Sequence, residues 1–379
     1  MRRKITNKIG YRPTWAEINL DNLRHNFLEV KKIVAPKTKI LVSVKADAYG
    51  HGLIPVAKVL ESCGVDFLGV ASIDEGINLR KAKIKSQILV LGLILKKDIA
   101  VLLNYNLTPT VCDFDFAHAL NSKAKFLRRV VRIHIKIDTG MGRIGVQCNQ
   151  AFDLIKKISS LKNIAIEGIF THFPLADVNA KFTNHQVNLL KDLNCKLKEA
   201  GILIPLVHAA NSMGVLGYKS SHFNMVRPGL IIYGLYPKAQ LKIKLKPVLS
   251  LKTEIIYLKS VARGFGISYG HTYVTKKNTN IATIPLGYGD GYPRNLSNKA
   301  PVLIKGRRFK ISGRICMDQI MIDVGKFKLN VGDEVVLIGS QAGNTITTEE
   351  LAHLALTIPY EIVCGLGSRI PRVYIKEGY

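Results

Sequence analysis

The sequence of 379 residues lacks the usual marks of secreted, membrane-spanning and zinc-binding proteins. Its six cysteines lie far apart and form no Cys-x-x-Cys pair, so we expect neither a disulfide framework nor a metal site. The basic start of the chain is not followed by the roughly 7–15 apolar residues of a secretory signal. The most apolar uncharged run, residues 88–95, is far shorter than the ~20 residues of a membrane span. We therefore expect a cytoplasmic protein with no membrane partner.

Acidic residues are also scarce, because 27 Asp and Glu stand against 55 Lys and Arg, which gives a formal net charge of +28. So basic a protein would suit nucleic acid or an anionic membrane as a partner. The excess is, however, spread over both halves of the chain, and we find no motif of the known DNA- or RNA-binding modules. We therefore interpret most of the charge as surface composition and expect no nucleic-acid partner.

The chain contains instead a regular alternation of short apolar runs with longer amphipathic stretches. The runs are rich in Val, Ile and Leu, as in strands buried on both faces, and they occupy residues 40–44, 66–71, 87–92, 108–112, 131–137, 164–171, 206–210 and 229–235. The stretches between them predict helices, among them residues 21–34, 53–62, 74–82, 150–160 and 183–200. Eight strands that alternate with helices over about 200 residues predict an α/β fold, a (β/α)8 TIM-type barrel.

After residue 237 the pattern changes to short strands punctuated by Gly, Pro and Asn, which predicts a mainly-β C-terminal domain. The predicted strands are residues 249–261, 281–285, 301–304, 309–315, 319–324 and 334–338, with a helix at 348–355. We place the barrel at residues 14–240 and the β-rich domain at 241–379. Residues 1–13 and the alternating segment 15–20 are expected to associate with the β-rich domain.

Several residues unusual for a buried strand follow the predicted barrel strands, at the end where barrels of this type carry their active sites. The residues at these positions are Lys45, Arg143, His172, Asn211, Ser212, Arg227, Gly229 and Leu230. All of them converge on one face if the barrel prediction is right. The sequence therefore predicts an active site at the carboxyl end of the strands.

Lys45 at the end of a buried strand suggests covalent chemistry, because burial lowers the pKa of an amine and makes it nucleophilic. Such an amine forms a Schiff base with an aldehyde cofactor, whereas the alternative is a lysine that extends out of the barrel rim. Pyridoxal phosphate (PLP) would also need a phosphate cradle, which Tyr49, Ser212 and Gly229 with nearby amides could supply. Arg227 is placed to contact the pyridine nitrogen.

Nine segments of the chain resemble those of the alanine racemases, in the order of that family and across both predicted domains. They are residues 44–52, 136–143, 171–173, 210–212, 227–229, 268–270, 287–292, 313–319 and 359–361. The resemblance implies PLP-dependent interconversion of L- and D-alanine by a homodimer, with D-alanine destined for peptidoglycan. Racemisation needs one base on each face of a planar carbanion, and the resemblance implies Lys45 for one face and Tyr269 of the partner subunit for the other.

The resemblance also implies roles for further residues. A phosphate cradle is implied for Tyr49, Ser212, Gly229, Leu230 and Tyr360, and neighbours of the cofactor ring are His172, Asn211 and Arg227. Arg143 and the Met317 amide are implied to bind the substrate carboxylate, and Lys136 matches a position that is carbamylated in many members. The entrance is implied to be lined by Asp177, Tyr288, Arg294 and Arg314, with Asp318 supporting the site from behind.

Other PLP enzymes of the same architecture stay open as alternatives. A broad-specificity, serine, lysine or arginine racemase would have the same two bases and a different entrance. A PLP decarboxylase would give Tyr269 no role, and a single-barrel PLP-binding protein would lack the β-rich domain. The sequence thus predicts an amino-acid racemase, and alanine is the expected substrate.

Overall fold

The computed structural model, which describes residues 3–4, 11–237 and 242–376, contains a closed barrel of eight parallel strands. The strands are Lys39–Ser43, Phe67–Val70, Gln87–Val90, Thr108–Val111, Val131–Asp138, Ile164–Phe170, Leu206–His208 and Met225–Val226. The barrel closes where the last strand pairs with the first. The predicted TIM-type barrel is therefore confirmed, whereas the predicted domain boundary between residues 240 and 241 lies outside the described residues, as do residues 1, 2, 5–10 and 377–379.

Amphipathic helices surround the barrel and alternate with its strands. They are Leu20–Ile33, Leu53–Ser62, Ile73–Lys81, Ile99–Asn104, Phe114–Phe126, Cys148–Ser159, Ala180–Glu199 and Ser212–Gly217. Side-chain caps start several of them, since Asn19 accepts from two amides of the first helix and Asn179 accepts from the Phe182 amide of the longest. Leu23, Phe27 and Val30 are spaced at helical period and are buried against the barrel.

The prediction of a strand at residues 229–235 is wrong. The eighth strand is Met225–Val226, and Leu230–Tyr233 forms a 3-10 helix whose four side chains are all buried. Pro228 ends the strand because proline has no N–H for the ladder, although its carbonyl still accepts from Ser43 N at 3.1 Å. A short apolar run cannot be assigned to strand or helix by periodicity alone when every side is buried.

The second domain is mainly β, as predicted. Its large sheet contains Arg3–Lys4, Arg372–Lys376, Thr14–Asn19, Leu249–Glu254, Glu334–Gln341, Asn344–Ile346, Pro301–Ile304 and Arg307–Lys310. A three-stranded antiparallel sheet contains Tyr257–Val261, Thr279–Ile284 and Ile320–Gly325, and a hairpin contains Gly266–Ile267 and Tyr273–Val274. Two helices, Thr348–Ala355 and Pro359–Cys364, complete this domain.

Two predicted strands of this domain differ from the structure. Residues 249–261 form two strands instead of one. The chain leaves the large sheet and enters the three-stranded sheet at residues 255–256. The strand predicted at 309–315 ends at Lys310. By contrast, Thr14–Asn19 joins the large sheet as expected, between Leu249–Glu254 and Arg372–Lys376.

The remaining elements are short. The chain has a two-residue strand, Val146–Gln147, a helical turn, Lys45–Gly50, and 3-10 turns at Lys96–Asp98, Lys219–Ser221, Tyr269–His271, Tyr288–Asp290 and Arg294–Leu296. One hydrophobic core runs through the barrel layer and into the β-rich domain. Within residues 11–237 and 242–376, no helix is both long and apolar enough to cross a membrane.

Candidate active site

A cavity of about 470 Å³ opens at the carboxyl end of the barrel strands, where active sites of this fold lie. Ten of the residues predicted from sequence line it, namely Lys45, Tyr49, Lys136, Arg143, His172, Asn211, Ser212, Arg227, Gly229 and Tyr360. Leu230 is fully buried and is not among the lining residues. Elements that are distant in sequence therefore meet at one site.

Lys45 is presented by an unusual backbone turn. Residues 46–49 all have left-handed φ and ψ, with φ between 52° and 54°, although none is glycine. Such conformations cost L-residues about 1–2 kcal/mol each, so surrounding contacts must hold them. The Ala46 amide donates to Glu75 Oε1 at 2.7 Å, and Asp47 Oδ1 accepts from the Leu53 amide at 2.7 Å.

The electrostatics of the cavity favour a neutral amine at Lys45. Burial lowers the pKa of Lys45, and the nearby positive charge of Arg143 lowers it further. Glu75 and Cys364 act in the opposite direction but do not reverse the shift. A larger fraction of Lys45 is therefore unprotonated at neutral pH than for a lysine in water, as a nucleophile or proton acceptor requires.

Hydroxyl and amide groups form a small polar corner beside Lys45. The Gly229 amide donates to Ser212 Oγ at 3.0 Å, and Tyr49 Oη donates to Ser43 Oγ at 3.3 Å. The Tyr49 ring lies 5.5 Å from the ring of Tyr360, between their centroids. Burial raises the pKa of Tyr49 to about 12 and also raises that of Tyr360, so both phenols stay protonated and can donate.

Arg227 also lines the cavity and is fixed by three hydrogen bonds. Its guanidinium donates to the carbonyls of Thr171 at 2.6 Å and Ala209 at 3.0 Å, and to His208 Nδ1 at 2.9 Å. Burial lowers the pKa of Arg227 to about 9, so the group is still protonated at neutral pH. The guanidinium therefore presents a fixed donor with no capacity to accept a proton.

Lys136 and His172 lie near this arginine, and the charged form of both side chains is disfavoured. Lys136 is 2% exposed, and burial together with Arg227 and Arg143 holds its pKa well below the usual value. The pKa of His172 is likewise held well below its usual value, by burial first and then by the same cations. His172 is therefore a neutral imidazole at neutral pH.

Apart from Tyr360, the predicted residues of the β-rich domain are not among the residues that line this cavity. Tyr269 is 68% exposed and Met317 is 52% exposed. Ser268 has φ 63° and ψ −174°, a region that is normally restricted to glycine, and its hydroxyl donates to the Arg314 carbonyl at 2.6 Å. The strained backbone of Ser268 therefore determines the direction of the chain at the exposed Tyr269.

Neighbouring loops hold the other predicted residues in place. The Tyr288 amide donates to the Cys316 carbonyl at 3.0 Å, and Arg369 donates to Asp318 Oδ1 at 2.6 Å. Arg294 opens the 3-10 turn Arg294–Leu296 and is exposed. On the barrel side, the negative charge of Asp177 helps to raise the pKa of Tyr360, after burial and Tyr49.

Comparisons with known proteins identify the family. The family model described as alanine racemase, N-terminal domain, matches residues 18–237, and the model of the alanine racemase C-terminal domain matches residues 248–374. The chain belongs to the alanine racemase family. The alanine racemase of Halothermothrix orenii is 49% identical and is matched over 99% of this chain and 98% of that protein. The alanine racemase of Carboxydothermus hydrogenoformans is 44% identical over 96% of this chain and 100% of that protein.

Solved structures agree with this membership. An alanine racemase from Clostridium difficile 630 has a TM-score of 0.91 at 42% identity, with 96% of each chain covered. A structure of an alanine racemase from the same organism in complex with cycloserine has a TM-score of 0.90 at 41% identity, covering 97% of this chain and 96% of that chain. The barrel followed by a β-rich domain is thus the architecture of alanine racemases.

Sequence reasoning missed two residues at the cavity of this alanine racemase family member, Phe170 and His208. Phe170 lines the cavity, and the ring of His208 stacks on it with centroids 4.8 Å apart. Both residues end barrel strands, which is the signal that singled out Lys45 and His172. They were overlooked because an aromatic residue or a histidine in an apolar run is also typical of a core.

Proposed function

We propose that the protein interconverts L- and D-alanine with PLP as its cofactor, and that it supplies D-alanine for peptidoglycan. The observation that carries this proposal is the charge of the cavity. Lys45, Lys136, Arg143 and Arg227 line it, and no Asp or Glu is found among its described lining residues. Such a cavity suits a ligand with a phosphate and a substrate with a carboxylate.

The test is to incubate the purified protein with PLP and L-alanine in D2O. We expect deuterium at Cα and formation of D-alanine, because the proton is removed and then replaced from solvent-exchanged groups. A panel of other L-amino acids serves as the control for specificity. Faster turnover of serine, lysine or arginine than of alanine would remove the alanine assignment.

The described residues fit PLP at three points. Lys45 would hold its aldehyde and Arg227 would meet the pyridine nitrogen. Tyr49, Ser212, Gly229 and Tyr360 would hold the phosphate, together with the main chain of Leu230, whose side chain is buried outside the cavity lining. His172 and Asn211 would flank the ring. When bound, PLP supplies the conjugated ring that delocalises the negative charge left at Cα by proton removal.

A glycine in the proposed cradle provides a test of the fit. A Cβ at Gly229 would lie 2.7 Å from Tyr49 Oη and 3.3 Å from Tyr49 Cζ. The Tyr49 ring cannot move away freely, since it packs against the ring of Tyr233 with centroids 4.9 Å apart. A side chain at position 229 would therefore displace the Tyr49 hydroxyl, which is one of the groups proposed to hold the phosphate.

We expect Gly229→Ala to weaken PLP binding about tenfold or more, which corresponds to ~1.4 kcal/mol. Titration of the cofactor-free protein with PLP, followed by fluorescence, gives the dissociation constant. Gly217→Ala is a matched control, because a Cβ there meets only the flexible end of Met213, at 3.1 Å. Unchanged affinity in Gly229→Ala would argue against a phosphate at this corner.

The two proton-transfer roles fall to Lys45 and Tyr269. We assign Lys45 to one face of Cα and Tyr269 of the partner subunit to the other, so that the active enzyme is a homodimer. The exposure of Tyr269 supports this assignment, because it does not line the cavity of its own chain. Phe265 and Tyr288 on the same domain are 45% and 41% exposed, as expected of a surface that a second subunit covers.

Substrate binding is assigned to Arg143 and to the Met317 amide, which hold the carboxylate of alanine. Asp177, Tyr288, Arg294 and Arg314 line the entrance, and Asp318 supports the Met317 loop through Arg369. Asp138 helps to place Arg143, because its Oδ1 accepts from the amides of Gly140 at 2.9 Å and Met141 at 2.8 Å. These bonds fix the loop that leads from the strand to Arg143.

Lys136 is proposed to be carbamylated. A neutral amine can add CO2 with loss of a proton, and burial among Arg143 and Arg227 disfavours the ammonium form. The resulting carbamate would bring one negative charge to a cavity that otherwise has a surplus of cations. It would also hold the Arg143 guanidinium in place by a charge-assisted hydrogen bond.

We expect Lys136→Met to lower kcat/KM for alanine by about tenfold, mainly through KM, because Arg143 loses its anionic partner. Lys136→Glu keeps a negative charge in the same place and is expected to retain more activity. In 13C-bicarbonate, NMR should detect a carbamate resonance that Lys136→Met lacks. The absence of that resonance in the wild-type protein would leave a plain amine at this position.

A further inference from the structure

A chain of hydrogen bonds leads from Arg227 through the barrel interior to a carboxylate. The Arg227 guanidinium donates to His208 Nδ1 at 2.9 Å, His208 Nε2 lies 2.8 Å from His134 Nδ1, and His134 Nε2 lies 3.3 Å from Glu167 Oε2. Both imidazoles are fully buried, whereas the Glu167 side chain is 13% exposed. Glu167 does not line the cavity, so any effect on the reaction is transmitted through the two rings.

The direction of this chain is fixed by its two ends. A guanidinium can only donate, so His208 Nδ1 accepts and the ring proton lies on Nε2. His208 Nε2 then donates to His134 Nδ1, and the remaining proton of His134, on Nε2, points at the Glu167 carboxylate. A positive charge on either ring would place two N–H groups face to face, so both imidazoles are neutral.

The local backbone is adapted to this arrangement. In the pairing of Val131–Asp138 with Ile164–Phe170, Ile133 lies opposite Ile166 and His134 lies opposite Gly168. Glu167 is therefore the extra residue of a β-bulge, and bulges redirect a side chain from its regular alternation.

The neighbours of the two rings leave them little freedom. A Cβ at Gly168 would lie 2.5 Å from His134 Nδ1, so glycine makes room for the ring. Phe170 stacks on His208 with an angle of 5° between the rings. The imidazoles therefore cannot rotate to offer Arg227 another acceptor.

We infer that Glu167 is a positioning residue for racemisation, which holds the Arg227 guanidinium towards the cofactor ring through His134 and His208. The carboxylate polarises both imidazoles in the same direction, which makes His208 Nδ1 a stronger acceptor for Arg227. Without it, the His134 Nε2–H loses its acceptor and the polarisation of both rings is lost. The hydrogen bond from Arg227 to His208 Nδ1 is then weaker, although its direction, which the guanidinium sets, is unchanged. The inference rests on the proposed function, because only there does Arg227 meet a pyridine nitrogen.

The test combines ring-15N-histidine solid-state NMR of the PLP-loaded protein at neutral pH with kinetics. In the wild type, His134 and His208 should be protonated on Nε2 alone. In Glu167→Met we expect the same tautomers, an upfield shift of the His134 and His208 Nε2–H proton resonances as these hydrogen bonds weaken, and a five- to tenfold loss of kcat, about the effect of one lost hydrogen bond. KM for alanine should change less than twofold, since Arg227 does not hold the substrate carboxylate.

Two further variants separate positioning from general damage. Glu167→Gln retains an oxygen acceptor and should restore most of the shift of the imidazole N–H resonances and most of kcat. Arg132→Met removes the other partner of the carboxylate, whose Nη1 lies 3.6 Å from Glu167 Oε1, and leaves the chain intact, so it should behave as wild type.

Several results would overturn the inference. One is a wild-type protein in which His208 is charged or carries its proton on Nδ1. This measurement tests the direction of the hydrogen-bond chain even if Glu167→Met fails to fold. Another is a Glu167→Met protein in which the imidazole N–H resonances are unchanged, whatever its kcat. If these resonances respond as expected but the wild type does not racemise alanine, the hydrogen-bond chain stands and the proposed function fails.

Discussion

A heterodimer of two inactive variants is expected to racemise alanine at about half the wild-type rate. Lys45→Ala and Tyr269→Phe each remove one of the two proposed proton-transfer groups. The rate of each homodimer should therefore fall by a factor on the order of 10²–10⁴. In the mixed dimer, Lys45 of one subunit meets Tyr269 of the other at one of the two sites. That site is complete, and the second site lacks both groups.

Co-expression with two different affinity tags and tandem purification yields the heterodimer, and D-alanine formation gives its rate. The matched control pairs a wild-type subunit with the Lys45→Ala/Tyr269→Phe double variant. Neither site of that dimer is complete if Tyr269 acts across the interface, so it should be nearly inactive. The reverse pattern, an inactive mixed dimer and a half-active control, would mean that each site is built within one chain.

The predictions that succeeded were those that a local pattern determines. Runs such as residues 87–92 are short, apolar and flanked by turn residues, and the parallel barrel buries both faces of each strand. Lys45 and His172 were found because barrel topology brings the carboxyl ends of all strands to one face. Helix starts were predicted less precisely, because Asn19 and Asn179 cap helices that begin at Leu20 and Ala180, before the predicted starts at residues 21 and 183.

The features that could not be predicted depend on contacts between distant residues. Nothing in the sequence of residues 46–49 distinguishes a left-handed turn from an ordinary helix, since Glu75 and Leu53 contribute the bonds that hold it. The run at 229–235 is apolar because it is buried on every side, and that leaves its secondary structure undetermined. The hydrogen bond between His134 and His208 joins two strands, and the two residues are 74 positions apart in the sequence. No local sequence pattern therefore predicts it.

Arg227→Glu is expected to increase the amount of pyruvate released by transamination per D-alanine formed, by about tenfold or more. Arginine cannot accept a proton, so under the proposed arrangement it would leave the pyridine nitrogen of PLP unprotonated and the electron withdrawal by the ring weak. Glutamate would instead keep that nitrogen protonated and strengthen the electron withdrawal. More of the negative charge left at Cα would then be carried by the ring, and a proton added there instead of at Cα would lead, after hydrolysis by water, to pyruvate and pyridoxamine phosphate.

The substitution also has a structural cost, which gives a second readout. Glutamate cannot donate to the carbonyls of Thr171 and Ala209, which Arg227 now satisfies in a fully buried position. Each buried acceptor left without a donor costs about 1–3 kcal/mol, so a lower melting temperature is expected. Arg227→Lys is the control, because it loses part of this bonding but keeps the cation, and its ratio of pyruvate to D-alanine should stay at the wild-type value. An unchanged ratio in Arg227→Glu would show that the charge at this position does not decide between proton exchange and transamination.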